Sequence, residues 1–231
     1  MQTLANAGMD PYAMPAFFER LLRNQQFSGK PPEFVLTHPI TETRVADSKS
    51  RAQSMPRPPL KQSPEFFLIK YRLQALYMRD ASEALSTFKK QYHEGSSYIQ
   101  QALGFGLAIA AIRAKDFSLA DNTLARLQEQ NPDQIWYTLA LAESMEQQKR
   151  HQEAVSLSKK VLDISPGHYG ASIILARNLV AQNELDEARA LLERLQWRHP
   201  TLASHRLLAK IWTDKKDKAR SHLAHGEIFF A

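Results

Sequence analysis

Apolar residues recur three and four positions apart along most of this chain, and short polar turns break the recurrence into pieces of helix length. Ser63-Pro64-Glu65 supplies a cap, a first-turn proline and an acid at the positive helix end. From there the pattern predicts paired helices: 64–79 with 81–93, 97–113 with 117–130, 133–148 with 151–164, 167–182 with 185–198, and 201–213 with 216–230. Turns such as Gln147-Gln148-Lys149-Arg150 are short and polar, and no useful run of alternating positions competes, so the expected fold class is all-α. Upstream, Asp10-Pro11 reads as an N-cap and first helical position of a helix to about Asn24, with Phe17, Phe18, Leu21 and Leu22 as its apolar stripe. Gly29 and three prolines exclude helix over 25–39, and a second helix fits 41–55 with Val45, Ala46 and Ala52 inward. Pro56, Pro58 and Pro59 make a stiff linker. The expected organisation is therefore a helical segment 1–55, a proline-rich linker 56–63 and paired helices over 64–231.

A longer period lies over the helical one. Pro132, Pro166 and Pro200 stand 34 residues apart, as do Ala120, Ala154 and Ala188. The pairs Leu107-Ala108, Leu141-Ala142 and Leu175-Ala176 keep the same step, and Leu127, Val161 and Leu195 follow the second-helix alanines. A small residue inside each helix admits its partner closely, and the proline closes each second helix. This is the tetratricopeptide (TPR) signature: an α-solenoid of about five helix pairs preceded by a short helical segment, with the best repeats at 101–134, 135–168 and 169–202. Regularity fades at the ends. Gln74 and Ser86 occupy the alanine positions of the first pair, with Ala75 and Ala84 nearby, and Lys210 and His222 occupy those of the last, with Ala209 and Ala219 nearby. These slips predict altered turns. No polar capping unit follows the last pair, so further sequence or a partner is expected to cover it.

Charge and composition then narrow the function classes. Lys plus Arg number 30 against 24 Asp plus Glu, a formal net charge of +6, and the two signs are interleaved except at Lys215, Lys216, Lys218 and Arg220. Those four surround Asp214 and Asp217, which reads as a solvated helix face and argues against a nucleic-acid partner. The absence of cysteine removes disulfides, thiolate metal sites and cysteine nucleophiles. No run approaches the roughly 18 apolar residues of a membrane span. The opening LANAGMDPYAM carries no basic leader and reads as the interior of a longer protein.

In TPR solenoids the first helices line the concave face, chiefly at repeat positions that fall here on Ala102, Phe105, Ile109 and Ile112, on Trp136, Leu139, Glu143 and Glu146, and on Gly170, Ile173, Arg177 and Val180. An exposed stripe of Phe105, Ile109, Trp136, Leu139 and Ile173 would be an apolar trough flanked by charge, suited to peptide or protein clients. The alternative is a trough filled by the chain's own residues 56–66. The Lys and Asn that clamp a terminal carboxylate in some TPR domains are absent from these positions. Arg177 and Arg113 remain as candidate anion contacts, with an ion pair to Glu143 or a similar acid as the plainer role.

A search for catalysis finds little. His93-Glu94 opens a zincin-like motif, but Ser97 stands where the second ligand belongs, and His222 and His225 lack a third ligand at suitable spacing. No nucleophile elbow, phosphate loop or dinucleotide fingerprint occurs. The expectation is a chain with no catalytic residues, no metal and no cofactor of its own.

Residues 4–55 carry something more specific. GMDP within LANAGMDPYAMPAFFERLL, and Thr37-His38-Pro39 through Arg44 within LTHPITETRVADSKSRA, resemble the end of the catalytic domain of HExxH-type zinc metallopeptidases. The whole chain resembles the β-barrel assembly-enhancing protease family, in which TPR repeats follow that domain. The resemblance implies a periplasmic parent that uses zinc, with the HExxH helix and third ligand upstream, so that this chain by itself hydrolyses nothing. It places His38 in a loop near the parent's cleft, where the imidazole could fill the zinc's open position or Arg44 could pair with a nearby carboxylate; the plainer roles are a helix cap and a local salt bridge. Three readings follow. The repeats bind clients or outer-membrane β-barrel assembly partners and present them to the protease; or they form an internal scaffold or lid on the upstream peptidase domain; or the chain retains residual zinc peptidase function.

Overall fold

The computed structural model describes residues 2–27, 42–57, 63–197 and 200–229, in two compact units, 1–63 and 64–231. In the first unit, α1 (Gln2–Asn6), α2 (Ala13–Phe27) and α3 (Glu42–Gln53) are described. Asp10 does not cap a helix at Pro11. Its carboxylate accepts the Tyr12 amide at 2.9 Å and reaches the Arg57 guanidinium at 3.5 Å, and Arg57 stacks on Tyr12 at 4.7 Å. This local turn delays α2 to Ala13. On α3 the inward residues are Val45, Ser48 and Ala52; Ala46 is exposed, and Ser48 satisfies its hydroxyl on the Val45 carbonyl at 2.8 Å. Phe17, expected in the α2 stripe, is exposed. The Thr37-His38-Pro39 loop and linker residues 58–62 lie outside the described residues.

The second unit is a TPR α-solenoid with no strand among the described residues. Its helices are α4 (Pro64–Tyr77), α5 (Ala81–Glu94), α6 (Gln100–Arg113), α7 (Phe117–Gln130), α8 (Ile135–Gln147), α9 (His151–Ile164), α10 (Tyr169–Ala181), α11 (Leu185–Gln196), α12 (Leu202–Asp214) and α13 (Lys218–Ile228). The repeated alanines Ala108, Ala142, Ala176, Ala120, Ala154 and Ala188 have no exposed surface. Each stands where a longer side chain would force neighbouring helices apart.

The reversal between paired helices is built the same way four times. Lys115, Lys149, Asn183 and Lys216 hold φ between 59° and 64°. In each turn the next amide reaches five residues back, Asp116 to Ala111, Arg150 to Met145, Glu184 to Leu179 and Asp217 to Trp212, at 2.9–3.0 Å. This is a Schellman ending, which satisfies the orphan carbonyls of the first helix and turns the chain sharply. The left-handed residue follows Ala108, Ala142, Ala176 and Ala209 by a constant seven positions. The last pair is thus the same device shifted by one residue.

The first pair differs. Seven residues after Ala75 comes Ser82, already inside α5 and without positive φ. With no Schellman reversal, α4 does not fold back along α5. It lies along α6 and touches α5 only sparingly, whereas α6–α7, α8–α9, α10–α11 and α12–α13 are each tightly packed pairs.

Candidate protein-binding face

The face to consider is formed by α6, α8 and α10. The structure corrects the expectation of an open apolar trough: Phe105 is 0 % exposed, Ile109 2 %, Ile112 3 %, Leu139 3 % and Ile173 6 %. At α6, helix α4 adds to the cover given by α5 and α7. Phe67, Leu68, Tyr71 and Ala75 of α4 join α6 in one core cluster with Phe88 of α5 and Leu124 and Leu127 of α7, and every residue from Ala102 to Ile112 is buried. Phe105 also packs on the Tyr137 ring at 5.5 Å between centroids, and burial pushes the Tyr137 hydroxyl pKa upward. Of the residues 56–66 considered for self-filling, 58–62 lie outside the described residues, and the helix that covers α6 begins at Pro64.

Farther along, the face keeps accessible polar groups. Trp136 is half-buried, with its ring edge-on to His168 at 6.0 Å. Glu143 and Glu146, one turn apart on α8, are bracketed by arginines from both sides. Arg72 of α4 donates to Glu143 at 2.8 Å, and Arg177 of α10 donates through Nε and Nη2 to the two oxygens of Glu146 at 2.7 and 2.6 Å. The Arg177 pair is bidentate, which fixes its geometry. Glu143 is therefore the partner of Arg72, and Arg177 pairs with Glu146. Arg113, the other candidate anion contact, donates to the Ala75 carbonyl. It caps the C-terminus of α4, where free carbonyls and the helix dipole favour a cation.

Arg72 was not among the residues legible as functional, because its role depends on where α4 lies. Its helix does carry a signal: Phe66, Phe67, Leu68, Ile69, Tyr71, Leu73, Leu76 and Tyr77 are apolar on all sides, unlike a helix with one buried stripe. His38 lies outside the described residues, and Arg44 stacks on Phe18 at 5.7 Å within the first unit. His222 and His225 are exposed on α13, and His225 Nδ1 is 2.7 Å from the Ser221 carbonyl. Among the described residues no three His, Asp or Glu side chains converge to hold a metal ion. A cavity of about 610 Å³ lies between α11, α12 and α13 beside Trp212, whose ring is flanked by Arg189 at 5.7 Å and Arg220 at 4.6 Å. No helix among the described residues is long and apolar enough to cross a membrane.

Comparison with known proteins adds an independent line. A tetratricopeptide repeat family model matches residues 146–211. The β-barrel assembly-enhancing protease of Escherichia coli (strain K12) is 36% identical over 166 residues, 71% of this chain and 34% of that protein. The putative β-barrel assembly-enhancing protease of Vibrio cholerae is 36% identical over 144 residues, 61% of this chain and 29% of that protein. The chain thus spans about a third of the length of the curated relatives it matches. Among solved structures, MamA from MSR-1 superimposes with a TM-score of 0.54 at 20% identity, covering 71% of this chain and 95% of that one. MamA from AMB-1 gives 0.51 at 17%, covering 71% and 96%. At such identities the structural likeness bears on fold alone.

Proposed function

We propose that this chain, which fits the C-terminal tetratricopeptide region of the β-barrel assembly-enhancing protease family, holds client or outer-membrane assembly-partner polypeptides for the protease of a longer, periplasmic parent. The observation that carries this is the α8–α10 face: a half-buried Trp136 at the start of α8, and Glu143 and Glu146 toward its end, each paired with an arginine of a neighbouring helix. An aromatic anchor rimmed by charge is the composition of a protein-recognition patch. Tethering a client there raises its effective concentration at a linked active site without new chemistry. In this reading zinc belongs to the parent's upstream domain, and His38 and Arg44 belong to the segment that meets that domain.

The test is binding of an unfolded outer-membrane β-barrel polypeptide to the 231-residue chain, followed by anisotropy, with Trp136→Ala as the comparison. A loss of affinity of about tenfold or more is expected for removal of a central aromatic anchor, corresponding to roughly 1.4 kcal/mol. Unchanged affinity in a variant with an intact helical spectrum would exclude this face.

A further inference from the structure

Three features single out α4. It is the one first helix in the solenoid whose end lacks the Schellman reversal among the described pairs, and it leans on α6 instead of α5. Its attachment combines four inward side chains, Phe67, Leu68, Tyr71 and Ala75, with two arginine contacts, Arg72 on Glu143 and Arg113 on the Ala75 carbonyl. That attachment is imperfect: Arg72 Nη1 is buried with no hydrogen-bond partner among the described residues, a cost that a solvated guanidinium would not bear. Meanwhile Phe66 is 58% exposed, Ile69 45% and Leu73 47%, so α4 also presents apolar side chains away from α6.

We infer that α4 is an exchangeable internal occupant of the α6–α8 face, and that the segment it gives way to is a largely apolar helix of the same chemistry. This rests on the interaction-module reading above and specifies its ligand. The face would take a client helix with large apolar residues at i, i+1 and i+4, a guanidinium at i+5 meeting Glu143, and a small residue at i+8, the positions held by Phe67, Leu68, Tyr71, Arg72 and Ala75. Glu143 reads the cation, and Arg113 caps the incoming helix through its last carbonyls. Because α4 is seated in most molecules, the apparent affinity for such a client is the intrinsic affinity multiplied by the fraction of molecules in which α4 has left.

The probe is a fluorescent peptide of residues 63–78 added to the full 231-residue chain. Arg72→Glu in the chain places like charge opposite Glu143 and weakens the internal occupant, so it is expected to bind the peptide at least tenfold more tightly than the unaltered chain. Adding Glu143→Arg restores an internal ion pair and opposes the peptide's arginine, and is expected to reverse the gain. Equal peptide affinity for the unaltered chain and for a folded Arg72→Glu chain overturns the inference. Should Arg72→Glu fail to fold, hydrogen exchange on the unaltered chain decides: α4 amides are expected to exchange at least tenfold faster than those of α6 to α10, and equal protection overturns it. An unfolded β-barrel polypeptide that binds every variant alike, with the peptide bound by none, defeats the exchange of α4 and leaves the interaction module standing. If the polypeptide is bound by none of them either, the module itself fails.

Discussion

Ala75 and Ala142 each place a buried small residue in the first helix of a pair, yet α4–α5 and α8–α9 end in different arrangements. In α8–α9, Ala142 sits seven residues before Lys149, whose left-handed φ of 60° closes the turn, and the two helices pack along each other. In α4–α5, Ala75 is followed at the same interval by Ser82 within α5, no left-handed residue intervenes, and α4 packs on α6. A slip of one residue in a small-residue register separates a solenoid unit from a helix that occupies its neighbour's face. The last pair shows that a slip alone is not enough: Ala209 and Lys216 moved together, and the turn survived.

The largest effect that should separate the two regions comes from core deletion. Leu124→Ala in α7, fully buried, should cost about 2–5 kcal/mol and lower protection across the regular pairs together, as measured by urea unfolding and hydrogen exchange. Leu68→Ala in α4 should instead loosen α4 first while the regular pairs keep their protection. Identical, global losses from both would erase the distinction.

Next comes the α5–α6 contact beneath α4. A Cβ at Gly106 would run into the Phe88 ring, which is fully buried and has nowhere to move. Gly106→Ala should destabilise by about 1–3 kcal/mol in a thermal melt. At Gly170 a Cβ meets only Leu139 and His168 at an ordinary 3.4 Å, so Gly170→Ala should be neutral or mildly stabilising. A Gly106→Ala chain as stable as its parent would show that the α5–α6 packing is looser than described.

A smaller effect of opposite sign tests the turn itself. Lys149→Gly removes the Cβ penalty at positive φ and should stabilise by about 1 kcal/mol. Ser82→Gly, at the matching interval in the first pair, should give no gain, because its backbone is helical. A gain at Ser82 would mean that the first turn samples the Schellman form.

The smallest effect is a pH dependence at the α5 N-terminus. The Asp80 carboxylate accepts hydrogen bonds from the Ser82 hydroxyl and then the Glu83 amide, which hold its pKa below the ordinary value. A folded-state pKa lowered in this way adds stability above the unfolded pKa of roughly 3.9, and that stability is lost as pH falls through the folded value. Asp80→Asn should flatten this acid-side slope when helix content is followed by circular dichroism. An unaltered slope would assign it to other carboxylates.

Much of the scaffold was legible in the residues. Proline and alanine at a fixed period, with apolar residues between, left few folds other than a stack of helical pairs. The binding face was legible only as a set of positions. Their repeat register picked out Glu143, Glu146 and Arg177, of which the structure pairs Arg177 with Glu146, but it missed Arg72, the partner of Glu143, and overstated the exposure of Phe105, Ile109, Leu139 and Ile173. Asp10 similarly looked like a cap, and its partner Arg57, distant in sequence, made it the centre of a turn.

By itself the sequence determined the helices, their pairing from α6 onward and the lack of a cysteine or a complete metal motif, because backbone turns and helical stripes are set by residues within a few positions of one another. Only the tertiary structure decided which helix covers which. The covering of α6 by α4 depends on a turn that does not form, an arginine that caps a helix 38 residues away, and an ion pair between residues 71 apart. Such contacts are chosen by competition among apolar faces of similar affinity, and local pattern carries no term for that competition.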